Sequence, residues 1–408
     1  MKEVGIISSG VLPLPAIKGG AVESLIDEYV NYNKEKKKIH LTVFSIYDKR
    51  LNEVKTESVD YLYFNNNIFL SFFDKVISLL QKTFFKNRNA ITFKNLLNRL
   101  HFFLKIRKYI KKHDFDLLVL ENHAAEYLCL SSKYLQKKYN QKVIFHSHNV
   151  PAHYKFFIKW ISCTKAFYSV SSSLSDMWKS VLFKNCPNTD FKVIKNGVDL
   201  DAFKPIDDLE ILKKKKKIYS IPIDKKIILY AGRMVESKGV FEAINGVREL
   251  DDNYHLLLVG DYYYSINVKN QDSKRIKAAL STIEGRYSFT GFVDRKNMPL
   301  IYNLADVVVL PSIEYDAAPL TLVESICCCK PVVATNIGGI PEYAKDAGVV
   351  LLQVDQDLSK NIAICIKKIL SNSAYYNNLA SKSFSSRKKN SSSDYVLRYE
   401  NMLFESMG

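Results

Sequence analysis

Residues 310–342 read LPSIEYDAAPLTLVESICCCKPVVATNIGGIPE, and this stretch decides the fold class. An apolar run, VVVLPS, leads into it, a second short apolar run, KPVVAT, follows, and Gly338 and Gly339 come next. The pattern reads strand, loop, helix, strand, loop, which is the alternation of an α/β protein with a parallel sheet. The helix is expected to begin within residues 317–320, with Pro319 in its first turn, where a missing N–H has no intrahelical partner to lose. The unpaired N–H groups of that turn, with the positive end of the helix dipole, make a seat for a phosphate. Two acids flank the seat, Asp316 just before it and Glu324 about two turns into the helix, with seven residues between them. One carboxylate can reach groups beyond the phosphates, and the other can accept hydrogen bonds from hydroxyls on the opposite side. A sugar nucleotide presents its groups in that order: sugar, diphosphate, ribose.

The flanking sequence continues the alternation. VGIISSG (residues 4–10) reads as a buried first strand, and in the following PLPAIKGGAVESLIDEYV the pair Gly19 and Gly20 precedes a helix. With no Cβ in the way, backbone there can approach a ligand closely. KVIFHSHN (residues 142–149) is a strand ending in His146 and His148. IILYAGRMVESKGV (residues 227–240) is a strand ending in Gly232 and Arg233, with Lys238 and Gly239 opening the next helix. Two cations at a strand end beside a helix start are what a diphosphate needs without a metal. The plainer reading makes Asp316 a loop residue, Glu324 a solvated helix residue, and Arg233 and Lys238 surface charges. Against it, both cations stand at the carboxyl end of a strand, where open α/β sheets bind ligands. Either histidine could be a hydrogen-bonded structural residue.

Taken together, these motifs resemble the family 4 retaining glycosyltransferases. The 310–342 stretch resembles that family's Glu-x7-Glu signature, with Asp316 in place of the first Glu and one methylene shorter; Glu314 is off register by two. KVIKNGVDLDAFKP (residues 192–205) resembles the family's passage from the first domain to the second. The resemblance implies the α/β GT-B fold: two Rossmann-like domains facing each other across a cleft. Residues 1–198 would form the acceptor-side domain, residues 199–385 the nucleotide-sugar-binding domain, and residues 386–408 a C-terminal helix returning to the first domain. It implies a UDP- or GDP-sugar donor, with Asp316 on the donor sugar and Glu324 on the ribose. Arg233, Lys238 and the helix start at Leu320 and Thr321 would hold the diphosphate. Gly19 and Gly20 would lie close to the donor phosphates and the acceptor, and a histidine, His146 or His148, close to the donor sugar or acceptor. It also implies retention, by same-face attack in which the leaving diphosphate takes the acceptor's proton. Enzymes of this fold commonly need no metal at the phosphates, and neither a metal nor a cofactor is expected. Two alternatives stand beside this reading: a sugar-nucleotide epimerase on the same fold, and a non-catalytic glycosyltransferase-like binding subunit.

Composition bounds the remaining choices. The chain has 408 residues, enough for two to three domains, and its 47% hydrophobic content is ordinary for a globular protein. No run of 18 or more apolar residues is present, and the N-terminus reads as a strand rather than a signal peptide. Seven cysteines without zinc-ligand spacing fit a reducing, cytoplasmic location, and Cys327, Cys328 and Cys329 are expected on a helix behind the site. Residues 213–217, five lysines, are expected to form a solvated loop, and the last 18 residues a helix.

Charge is uneven. Of the net +17, residues 1–200 carry +14, and residues 62–113 hold eleven Lys and Arg against a single acid, Asp74. That segment also holds two apolar helical stretches. Residues 102–110 are expected to pack as core, and residues 69–85 to face a membrane or an acceptor. A basic, aromatic first domain suggests peripheral association with an anionic membrane surface on its cytoplasmic side, and a lipid-linked or polysaccharide acceptor. No nucleic-acid motif accompanies the basic charge.

Overall fold

The computed structural model describes the chain apart from residues 52–55, 85–94, 152, 183, 185, 187–188 and 262–270. It divides into two compact units. The first comprises Met1–Val170, Leu174–Ile194 and Val396–Gly408, and the second Ser171–Ser173 and Lys195–Tyr395.

The first unit is built on seven strands: β1 (Glu3–Ile7), β2 (His40–Ile46), β3 (Val59–Phe64), β4 (Leu117–Glu121), β5 (Val143–Ser147), β6 (Thr164–Ser169) and β7 (Asp190–Val193). All pair in parallel, in the order β3-β2-β1-β4-β5-β6-β7. The central strands read as continuous apolar runs because both faces of a parallel sheet are covered; LLVLE of β4 is buried at every position. The second unit holds β8 (Lys226–Ala231), β9 (Tyr254–Val259), β10 (Tyr287–Phe289), β11 (Val307–Leu310), β12 (Val332–Thr335) and β13 (Val349–Leu352), in the order β10-β9-β8-β11-β12-β13 and again parallel. In each unit the strand order reverses beside the first strand, between β1 and β4 and between β8 and β11. A reversal of this kind sends the two following loops to opposite faces and leaves a crevice at the carboxyl ends of the strands.

Several local expectations need correcting. Residues 213–217 are not a loop: they lie in a helix, Leu209–Ile218, whose first turn is capped by Asp208 accepting from the Ile211 N–H at 3.0 Å. Lysine is a good helix former, and a solvated lysine run suits an exposed helix as well as a loop. Pro319 is not inside the first helical turn. With ψ at 121° it is the capping residue, and the helix runs Leu320–Cys327. Glu324 is therefore the fifth helical residue, little more than one turn in. The helix takes in only Cys327 of the three consecutive cysteines. Cys328 closes it, and Cys329 has φ of 56°, the left-handed region that favours glycine at such a turn.

The C-terminal stretch forms the helix Ser392–Met407, and its part from Val396 onward belongs to the first unit, where Tyr399 and Leu403 are fully buried. The two helices of the basic segment differ sharply. In Leu96–Lys112, Phe102, Phe103, Ile106 and Ile110 are core. In Ile68–Phe84 the apolar residues face outward: Ile68 is 86% exposed, Phe69 79% and Phe72 64%. Asp74 faces inward instead and caps the neighbouring helix, its carboxylate accepting from the N–H groups of Leu97 and Asn98 and from the Asn98 amide, at 2.8, 3.2 and 2.8 Å.

Candidate functional site

At the reversal in the second unit, the loops after β8 and β11 are tied together. The N–H groups of Ile313 and Glu314, past β11, both donate to the Ser237 carbonyl, past β8, at 3.1 and 3.3 Å. Gly239, with φ of 72°, opens the helix Val240–Arg248; a Cβ there would lie 1.8 Å from the Pro311 carbonyl oxygen, so only glycine permits this approach. Thr321, the second residue of the Leu320–Cys327 helix, donates its hydroxyl to the Ala231 carbonyl at the end of β8, at 3.2 Å. These contacts bring the loop of Arg233 and Lys238 against the loop and helix start that carry Asp316, Leu320 and Thr321.

Lys238 and Asp316, 78 residues apart in sequence, form an ion pair at 2.5 Å, and the Ser312 hydroxyl donates to the same carboxylate oxygen at 3.1 Å. The sequence reading gave these two residues separate partners and did not foresee their pairing. Asp316 is buried and Lys238 half-buried, which strengthens the attraction over that of a surface pair. Arg233 is exposed just past β8 and forms no ion pair among the described residues, while its carbonyl accepts from the Tyr230 hydroxyl at 2.8 Å. The glycine pair supports Asp316 from behind. The Gly339 N–H donates to the Asp316 carbonyl at 2.8 Å, and Gly338 has φ of 61° with no room for a Cβ beside that carbonyl.

Glu324 is buried. It accepts from the Tyr302 hydroxyl at 2.7 Å, and the Arg295 Nε lies 3.8 Å from its other oxygen. Burial pushes its carboxyl above the ordinary range, and Arg295 and the Tyr302 bond pull the other way. Tyr302 and Arg295 were not read from the sequence; no local pattern marks a tyrosine 22 residues upstream as a partner.

The first unit assembles a second group at its own reversal. Gly19 and Gly20 have φ of 71° and 113°, and a Cβ on Gly20 would lie 2.2 Å from a Glu23 carboxylate oxygen. Burial, with the Asp27 and Glu121 charges adding, pushes Glu23 up to about 7. Glu121 ends β4 in register with His146 of β5. Its carboxylate accepts from His146 Nδ1 at 3.1 Å, His148 Nε2 at 3.4 Å and the Tyr399 hydroxyl at 2.6 Å. Burial alone would raise this carboxyl, but the two histidines outweigh it and hold it at about 2. His146 has no exposed side-chain surface, whereas His148, just past the strand end, keeps 7% of its own. Three ligand-type atoms of Glu121, His146 and His148 lie within 4.8 Å of one another and could hold a metal. In the structure both histidines donate to the Glu121 carboxylate, so the group reads as a hydrogen-bonded cluster. The signal for Glu121 in the sequence is an acid closing the apolar run LLVLE.

Comparison with known proteins bears on the family and the fold. Residues 212–385 match the family described as glycosyl transferases group 1, and residues 80–202 match glycosyltransferase family 4. The chain is 24% identical to a putative glycosyltransferase, YtcC, of Bacillus subtilis, over 84% of this chain and 77% of that one. It is 26% identical to a lipopolysaccharide 1,2-N-acetylglucosaminetransferase of Salmonella typhimurium, over 60% of each. A crystal structure of HepE from Anabaena, in complex with UDP, superposes with a TM-score of 0.71 at 16% identity, over 99% of this chain and 100% of that one. At that identity the likeness establishes the fold, and the fold is GT-B with two Rossmann-like domains. With family matches on both sheets, the chain belongs to the family 4 glycosyltransferases, enzymes that move a sugar from a nucleotide-sugar donor.

Proposed function

We propose that this enzyme transfers a sugar, with retention of configuration, from a UDP- or GDP-sugar to a hydroxyl of a lipid-linked or surface-polysaccharide acceptor. The observation that carries the donor reading is the second unit's reversal point. There the loop that carries Arg233 and Lys238 lies against the start of the Leu320–Cys327 helix, with Asp316 just before that helix and the buried Glu324 within it. In this reading the diphosphate sits on the helix start and the two cations, the ribose hydroxyls donate to Glu324, and Asp316 orients the sugar through the network it shares with Lys238 and Ser312. The bond between the anomeric carbon and the diphosphate oxygen breaks. The acceptor oxygen bonds the anomeric carbon on the same face, and its proton passes to the departing diphosphate. The protein contributes position and fixed positive charge where negative charge develops. The UDP complex of the Anabaena structure supports a nucleotide diphosphate, and the name of the Salmonella relative supports a cell-surface glycan acceptor.

The acceptor reading also draws on the helix Ile68–Phe84. Its exposed residues Ile68, Phe69, Phe72, Phe73, Val76 and Leu79 fall within an arc of about 140° at 3.6 residues per turn. The one acid of residues 62–113 is buried, so the described surface of that segment carries cations only. An outward apolar stripe in a cationic setting suits an anionic lipid surface, approached from the cytoplasmic side. No helix among the described residues is long and apolar enough to cross a membrane. The function is tested by incubating the enzyme with a panel of UDP- and GDP-sugars and a lipid-linked acceptor fraction, then assigning the anomeric configuration of the product by NMR. A retained anomer in an acceptor-dependent product supports the proposal. An inverted anomer, or sugar-nucleotide conversion without acceptor, contradicts it.

A further inference from the structure

The Glu121 cluster is built more thoroughly than a structural histidine requires. A carboxylate at the carboxyl end of β4 receives three donors from three separate elements: β5, the turn after β5 and the C-terminal helix. The Tyr399 hydroxyl takes Oε1, and both histidines share Oε2. The rings are fixed as well as bonded. His146 and His148 pack edge to face with centroids 4.3 Å apart, and Tyr399 closes on His146 at 5.6 Å and on Tyr29 at 4.6 Å. An ionised carboxylate only accepts, so each histidine must donate the nitrogen that faces it. This sets the two tautomers in opposite senses: His146 carries its proton on Nδ1 and His148 on Nε2. His146 Nε2 is buried without a hydrogen-bond partner. His148 is further held by its own N–H, which donates to Asn122 Oδ1 at 3.1 Å, and its Nδ1 is left as a lone-pair acceptor on the ring that keeps solvent contact.

We propose that Glu121 and Tyr399 are positioning residues for the transfer reaction, which hold His148 with Nδ1 unprotonated and presented to a hydroxyl of the acceptor or the donor sugar, with His146 as the buried brace between them. This rests on the glycosyltransferase reading above and assigns His148, rather than His146, as the histidine that meets substrate. Burial also pushes His148 down to about 4, with His146 adding to the effect and Glu121 opposing it, so the ring stays neutral near pH 7 and its Nδ1 can accept. The logic is that of any histidine whose orientation and tautomer are fixed by a carboxylate behind it.

The test has two arms. In protein labelled with 15N-histidine, long-range 1H–15N spectra should assign His148 as the Nε2–H tautomer and His146 as Nδ1–H, with no substrate present. In Glu121→Gln that preference should be lost, and kcat should fall at least tenfold while the donor KM stays within twofold. Tyr399→Phe, which keeps the ring packing, should retain the fold and lower kcat severalfold, so the proposal stays testable if Glu121→Gln folds poorly. His148→Ala should lower kcat at least as far as Glu121→Gln. His148 found as the Nδ1–H tautomer or His146 as the Nε2–H tautomer in the wild-type protein, or full kcat in both the Glu121 and Tyr399 variants, would overturn the proposal. Those outcomes in an enzyme that still transfers sugar leave the glycosyltransferase reading standing. Absence of any transfer by the wild-type protein removes that reading instead, and the tautomer assignment is then judged alone.

Discussion

Replacing Glu324 with Gln should separate stability from nucleotide affinity. Glu324 is buried, and burial raises its carboxyl despite Arg295 and the Tyr302 hydroxyl. A raised value means the folded state binds the proton more tightly than the unfolded chain does. The resulting stability is complete below the unfolded glutamate range, about pH 4, and is lost as pH rises through the folded value. Near neutrality the ionised side chain is therefore a net cost to folding. Gln keeps an oxygen that can accept from Tyr302 and cannot ionise. The variant should be at least as stable as the wild type at about pH 8, and the difference should vanish toward about pH 4. Binding should move the other way. Hydrogen bonds to a charged group contribute roughly 1.5–3 kcal/mol and neutral ones about 0.5–1.5, so the ribose contact should weaken by about 1–1.5 kcal/mol, or about five- to tenfold in Kd. Urea midpoints at the two pH values and calorimetry with UDP and GDP measure both. An unchanged nucleotide Kd refutes the ribose assignment. A variant less stable than wild type at the higher pH alone refutes the electrostatic reasoning.

Arg233→Ala and Lys238→Ala should each lower kcat/KM for the donor at least tenfold, about 1.4 kcal/mol or more for a charge-assisted contact, and full activity in both would remove the diphosphate from this loop. Gly339→Ala places a Cβ 1.8 Å from the Ala317 carbonyl oxygen and should shift the loop that carries Asp316; turnover should fall with a lower melting temperature, and a wild-type rate would show that the loop's position is not critical. Phe69→Ser with Phe72→Ser should abolish co-sedimentation with anionic vesicles at low salt while leaving turnover of a water-soluble acceptor analogue unchanged. Lys75→Gln, Lys82→Gln, Lys86→Gln and Arg88→Gln together should weaken it, each cation near the surface contributing about 1 kcal/mol that salt screens. For Lys82, Lys86 and Arg88 the expectation rests on sequence alone. Wild-type protein that stays in solution with such vesicles contradicts the membrane reading.

What the sequence made legible was local. The apolar runs of β8 and β11, each closed by glycine, proline or charge, fixed the strands and so the crevice beyond them. The glycines at 338 and 339 announced a close approach, and the approach is to the backbone of Asp316 and Ala317. Features that depend on distant partners were not legible. Lys238 meets Asp316 across 78 residues, and Tyr399 meets Glu121 across 278. The lysines at 213–217 satisfy helix and loop equally, and the capping contact of Asp208 decides between them. The outward phenylalanines of Ile68–Phe84 have the same spacing as a buried helix face. Their outward face agrees with the expectation for residues 69–85, and the inward Asp74, bonded to the start of the neighbouring helix, fixes it.

The central claim is a nucleotide-sugar site in the second unit that works through Arg233, Lys238 and Glu324. Its most direct test is thermal unfolding of the wild type and of Lys238→Ala with UDP- and GDP-sugars, with and without a chelator. A ligand at about 100 times its Kd adds about 2.7 kcal/mol to the native state. One nucleotide class should raise the wild-type melting temperature by several degrees, equally with chelator, and raise that of Lys238→Ala much less. No shift with any nucleotide sugar, or an equal shift in both proteins, would contradict the account.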